Sequence, residues 1–146
     1  MLLLVLPWAA LFMLGLTSCS SSEKLCTTEI GLSDLTGDLP IVDAPKTLDN
    51  TRATFCWRNE CGEMKMNDPV RRIGNYALVN GSSIRVGYSR EGFVDFANGD
   101  PICFTLTVPD PEPGAKAKYE LAGEVVNVTI VDDGCHRSAK GKIAPR

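Results

Sequence analysis

The chain has 146 residues, with 15 Lys+Arg against 18 Asp+Glu, one His and few aromatic residues. A net charge of -3 gives no long-range attraction to nucleic acid or to anionic lipid. The lone His136 and the small aromatic count leave little for proton transfer near neutral pH or for base stacking, so no nucleic-acid partner is expected.

Residues 1–16 (MLLLVLPWAALFMLGL) are apolar apart from the breakers Pro7 and Gly15. The run is shorter than the roughly 20 residues of a membrane-spanning helix. It sits where the apolar region of a signal peptide sits, and residues 1–18 are read as one. The run ends Leu16-Thr17-Ser18-Cys19, followed by Ser20-Ser21-Ser22. This resembles the lipobox of bacterial lipoproteins: Leu, two small residues, then Cys. The resemblance covers the first nineteen residues and names no family for the domain beyond them. It implies that the Cys19 thiol carries diacylglycerol, that cleavage falls before Cys19, and that the new amino terminus is acylated by a fatty acid such as palmitate. The protein would then be an extracytoplasmic lipoprotein held on the cell membrane or outer membrane. Several acyl chains anchor firmly, because each buried methylene contributes roughly 0.8 kcal/mol. The other reading is plain secretion, with cleavage after Ser20 and loss of Cys19.

Residues 19–50 read as the lipid attachment site followed by a tether and loop region, with an edge strand near residues 27–32. Gly31, Gly37, Pro40 and Pro45 break every longer pattern there. Apolar positions at i, i+3, i+4, i+7 are sustained nowhere in the mature chain, so no helix is expected. Residues 51–146 read as one β domain. Residues 51–57 (TRATFCW) are rich in strand formers, and residues 61–66 return against them. Residues 76–79 and 83–88 flank Asn80-Gly81, a strong hairpin signal. Residues 93–97 precede a second Asn-Gly at Asn98-Gly99. In residues 102–108 (ICFTLTV), Ile102, Phe104, Leu106 and Val108 share one face. A proline loop over residues 109–114 leads to strands at 116–121 and 124–131, the latter with Val126, Val128 and Ile130 together. The last ten residues hold at most one strand. About eight short strands predict an all-β fold, an antiparallel immunoglobulin-like β-sandwich or a small barrel stapled by disulfides.

Six cysteines in an exported chain this short point to disulfides. A four-residue loop would set Cys56 opposite Cys61 at disulfide distance. Cys103 with Cys135 is the expected second bridge, leaving Cys26 over; Cys26 with Cys61 or Cys56 is the alternative. Without Cys19 the count is odd, so one thiol stays free or bridges to another molecule. Zinc sites prefer tighter Cys spacing than this chain has, so no metal and no cofactor is expected.

Cys135 and His136 are adjacent, and neighbouring strand residues face opposite ways, which disfavours a Cys–His catalytic pair. Asp95, Asp100, Asp132 and Asp133 lie beside glycines in turn sequences, where Asp bonds its own backbone. Trp57 and Arg58 at the expected hairpin tip form a candidate binding pair, with Trp57 packed on the core edge as the competing role. Asn80-Gly81-Ser82 and Asn127-Val128-Thr129 match the glycosylation triplet, which matters only in a eukaryotic secretory pathway. No nucleophile elbow, phosphate-binding glycine loop or metalloprotease motif occurs. The expected function is therefore non-enzymatic: a lipid-anchored domain that binds or scaffolds a cell-envelope component. The alternative is a secreted inhibitor or effector that binds a target protein through the Cys56–Cys61 loop.

Overall fold

The computed structural model describes residues 26, 30–46, 48, 50–66 and 74–146. The expected signal segment, Cys19 and residues 27–29 of the expected strand at 27–32 lie outside them. The described residues form eight strands and no helix: β1 (Leu32–Pro40), β2 (Arg52–Trp57), β3 (Glu60–Met66), β4 (Tyr76–Asn80), β5 (Ser83–Glu91), β6 (Pro101–Thr107), β7 (Lys118–Asp132) and β8 (Arg137–Pro145). The expected all-β, disulfide-stapled fold is present, and the small barrel is the architecture realised. The strands close in the order β1-β5-β4-β3-β2-β6-β7-β8. Pairing is antiparallel except for β3 with β4 and β1 with β8, which run parallel. The β1–β8 ladder closes the barrel.

The interior is filled by side chains, as expected for eight strands. Leu35 and Leu39 of β1, Phe55 of β2, Ile84 and Val86 of β5, Phe104 and Leu106 of β6 and Val125 of β7 are all buried. Ile102, Phe104 and Leu106 point inward and Cys103 outward, as their alternation predicts.

The stretch read as tether and loop contains β1. Its inward face is Ser33, Leu35, Gly37 and Leu39, so half of its apolar signal is missing. Gly37 is required there because a Cβ would overlap the Ile143 carbonyl of β8. Residues 93–97 are extended but join no ladder. Val94 and Phe96 point inward as their alternation implies, and the segment folds across one barrel end as a plug. The two strands expected at 116–121 and 124–131 are one strand, β7. A bulge between Val126 and Thr129 shifts its register, with Asn127 at φ 54°. The bulge puts Val125 in the core with Val128 packed against it, so Val126 does not share their face, and Ile130, paired with the buried Ala139, is 52% exposed. Asn80 belongs to β4 and pairs with Ser83, so the two-residue turn is Gly81-Ser82.

The ladders define two ends. Leu32, Glu91, Arg137 and the Arg58 turn lie at one. Pro40, Ser83 and the proline loop lie at the other.

Candidate functional site

Two disulfides are present, Cys56–Cys61 and Cys26–Cys135. The first joins directly paired residues of β2 and β3 with Cα atoms 4.0 Å apart, as the hairpin spacing predicts. The second corrects the expected Cys103–Cys135 bridge. Cys103 is mid-strand on β6 with its thiol exposed, while Cys135 sits in the β7–β8 turn at the barrel end where β1 begins. Cys26, ahead of β1, meets Cys135 there, whereas Cys103 stands between Cys56 of β2 and Ala122 of β7. Cys26 is therefore not the leftover thiol, nor is it bonded to Cys56 or Cys61.

The Cys56–Cys61 hairpin turns through Arg58-Asn59, and Arg58 has φ 53°. A positive φ in a bulky residue is strained and points to a constraint on its side chain. The contacts supply one. The Arg58 guanidinium lies 4.5 Å from the Trp57 ring centroid. Arg58 Nη2 is 3.0 Å from Asp100 Oδ2 and donates to the Asp95 carbonyl at 2.9 Å, and Nη1 is 3.3 Å from Asp95 Oδ2. Asp100 Oδ2 also accepts from Trp57 Nε1 at 3.0 Å and from the Ala97 backbone N–H at 3.0 Å. Burial alone would raise the Asp100 carboxyl, but the Ala97 N–H, Arg58 and Trp57 outweigh it and hold it below the usual carboxylate range. Asp95 and Asp100, read as turn residues, thus converge on Arg58 and lock the hairpin to the 93–100 plug.

Trp57 is 5% exposed. It packs edge-on to Phe96 at 5.3 Å and tilted on Tyr88 at 6.2 Å. The core-edge role is the one it has, and Trp57 is not part of an exposed Trp–Arg pair. Phe93 lies under Arg137, at 4.2 Å. Beside the hairpin, Glu60 pairs with Arg90 at 3.4 Å on the rim of an open recess of about 580 Å³.

The opposite end carries a cleft of about 360 Å³, which no sequence motif marks. Residues 43–46 form one wall and the proline loop the other, with Tyr119 as floor. The Tyr119 hydroxyl donates to the Asp43 carbonyl at 2.6 Å and fixes that wall. Lys46 and Glu112 bridge the mouth at 3.5 Å. The cleft is thus an apolar recess of Ala44, Pro45, Val108, Pro111 and Tyr119 under charges of both signs. Its only legible signal was the rigid proline loop.

Asp132 and Asp133 act as turn residues. Asp132 Oδ1 accepts from the Gly134 N–H, and Asp133 Oδ1 from those of Cys135 and His136. His136 Nδ1 is 3.8 Å from Asp133 Oδ2, and the neighbouring Cys135 sulfur is held in its disulfide. Among the described residues, no group of three or more His, Cys, Asp or Glu is placed to hold a metal. No helix among them is long and apolar enough to cross a membrane. The two disulfides fit an oxidising, extracytoplasmic environment.

The fold and its sites define a small, closed, disulfide-stapled β-barrel with a filled interior. No protein-family model, curated protein or solved structure matches the chain.

Proposed function

We propose that this chain is a non-enzymatic extracytoplasmic lipoprotein whose barrel binds or scaffolds another cell-envelope component through the Tyr119 cleft. One observation carries this reading: the Cys26–Cys135 bridge pins the N-terminal side of the chain to the barrel end opposite that cleft. From Cys19 to Cys26 the chain can reach at most about 25 Å. A lipid on Cys19 would therefore hold the β7–β8 turn near the membrane and present the cleft outward. The filled interior supports a partner on the outside of the barrel rather than a ligand within it.

Two experiments test this. Metabolic labelling with a radioactive fatty acid should mark the wild type and not Cys19→Ala; equal labelling sinks the anchor. A photo-crosslinking residue at Lys46 should trap an envelope component in intact cells, whereas one at Asn59 should not. The reverse pattern would favour the second reading, a secreted inhibitor or effector presenting its disulfide-stapled hairpin. That reading draws on the exposed Arg58, Asn59 and Glu60 at a covalently fixed tip.

A further inference from the structure

Three cysteines stand in one row across the outside of the barrel. Cys56 on β2 is paired with Cys61 on β3 to one side and with Cys103 on β6 to the other. Their neighbours Phe55, Trp57, Ile102 and Phe104 point into the core, so Cys56 and Cys103 point outward. Cys61 and Cys103 are exposed. The row therefore reads Cys103 thiol, Cys56 sulfur, Cys61 sulfur, with the disulfide joining the last two.

The two pairings differ in kind. Two residues along the β2–β6 ladder, the Arg58 N–H donates to the Pro101 carbonyl at 3.3 Å. Positions two apart share a pair type, so Cys56 and Cys103 form a hydrogen-bonded pair. Such pairs have Cα atoms about 5.5 Å apart, in the middle of the range that a disulfide spans. A bridge from Cys56 to Cys103 is therefore within reach of the paired strands. The strand order also sets the approach: Cys103 lies on the side of Cys56 away from Cys61, the side from which a nucleophile displaces a leaving sulfur. Lys118 on β7 is close enough to Cys103 for their charges to interact, although its chief partner is Glu120.

We infer that the row is a thiol–disulfide exchange site, with Cys103 the resident nucleophile for the Cys56–Cys61 bond. The Cys103 thiol gives its proton to solvent, and the thiolate attacks the Cys56 sulfur. A Cys103–Cys56 bond forms, the Cys56–Cys61 bond breaks, and Cys61 leaves as a thiolate that takes up a proton. One disulfide and one thiol are present before and after, so no oxidant or reductant is consumed. The exchange moves the staple from the β2–β3 hairpin to the β2–β6 ladder and delivers a free thiol to the rim beside Glu60 and Arg90. This inference does not depend on lipidation or on the cleft.

The test is thiol mapping of the oxidised full chain. The protein is held for hours at about pH 8.5, where thiol exchange runs on that scale, then alkylated, digested without reduction and sequenced by mass spectrometry. Alkylated Cys61 and a Cys56–Cys103 cross-linked peptide are expected in the wild type, and both should be lost in Cys103→Ser. In Cys61→Ser, oxidised with glutathione disulfide, Cys56 and Cys103 should bond to each other and leave neither thiol to react. Alkylation confined to Cys103 in the wild type overturns the proposal. So does Cys61 alkylation that persists in Cys103→Ser, or a folded Cys61→Ser that keeps both thiols. If Cys61→Ser does not fold, the wild-type map and Cys103→Ser decide.

Discussion

Ser33 shows what one polar atom contributes inside this barrel. It is fully buried, and its hydroxyl donates to the Gly92 carbonyl at 2.6 Å. The same oxygen accepts from the Val94 N–H at 3.1 Å and the Ala139 N–H at 2.9 Å. It thus ties β1, the plug and β8 together. Ser33→Ala leaves three backbone groups without that partner and should cost about 3 kcal/mol, or roughly 10 °C in Tm. Calorimetry checks this; a loss below about 1 kcal/mol would mean that water replaces the hydroxyl. Asp100 is the corresponding charged node. Its folded carboxyl lies below the ordinary value, so its contribution is complete above the unfolded pKa, near about 3.9. That contribution is lost as the pH falls through the folded value. Asp100→Asn should cost about 2 kcal/mol at neutral pH. Denaturant titrations from about pH 5 downward should show the gap between wild type and variant closing, because protonation removes the same interaction from the wild type. A gap independent of pH would mean that the charge of Asp100 contributes nothing.

Strands are held here by closeness of approach as much as by apolar content, and β1 shows it. Gly37 lets β1 come against the backbone of β8, where any side chain would strike the Ile143 carbonyl. Gly37→Ala should therefore part the β1–β8 seam, costing about 3 kcal/mol, while the exposed Thr36→Ala on the same strand should stay within about 0.5 kcal/mol. Hydrogen exchange should then show protection lost in β1 and β8 but kept in the β2–β3 hairpin; uniform loss would mean that the seam does not open separately. The same feature explains which strands could be read from the sequence. β2 and β6 alternate strongly and fill the core, so composition and period reveal them. β1 and β8 put Ser, Gly and Ala on the inward face because the seam is tight, which removes the apolar period. The plug at 93–97 has the period of a strand and lacks a ladder, a distinction that only long-range pairing makes. For the candidate sites, the Cys56–Cys61 bridge was legible because it is local. The convergence of Asp95 and Asp100 on Arg58 crosses 37 and 42 positions, and the Cys26–Cys135 bridge crosses 109, which spacing rules do not reach.

At the scale of the molecule, the barrel is closed by joining its first strand to its last. That seam pairs only residues 34–37 of β1 with residues 140–143 of β8. The Cys26–Cys135 bridge lies at the same barrel end and ties the chain ahead of β1 to the turn ahead of β8. It is a covalent guard on the joint that costs most loop entropy to form. In the chain-entropy account, a bridge stabilises by restricting the unfolded chain, and more so for a longer loop. A loop of 109 positions corresponds to roughly 5 kcal/mol and one of 5 positions to roughly 2 kcal/mol. The double variant Cys26→Ser/Cys135→Ser should therefore lose at least twice the stability lost by Cys56→Ser/Cys61→Ser, as read from denaturant midpoints at equal slope. The two variants should differ in kind as well. Loss of the long bridge should bring fast hydrogen exchange in β1 and β8, since the seam then depends on a short parallel ladder alone. Loss of the short bridge should leave the seam protected and loosen the Arg58 turn. Equal losses, or a seam unaffected by removal of Cys26 and Cys135, would mean that hydrogen bonding and packing close the barrel without covalent help.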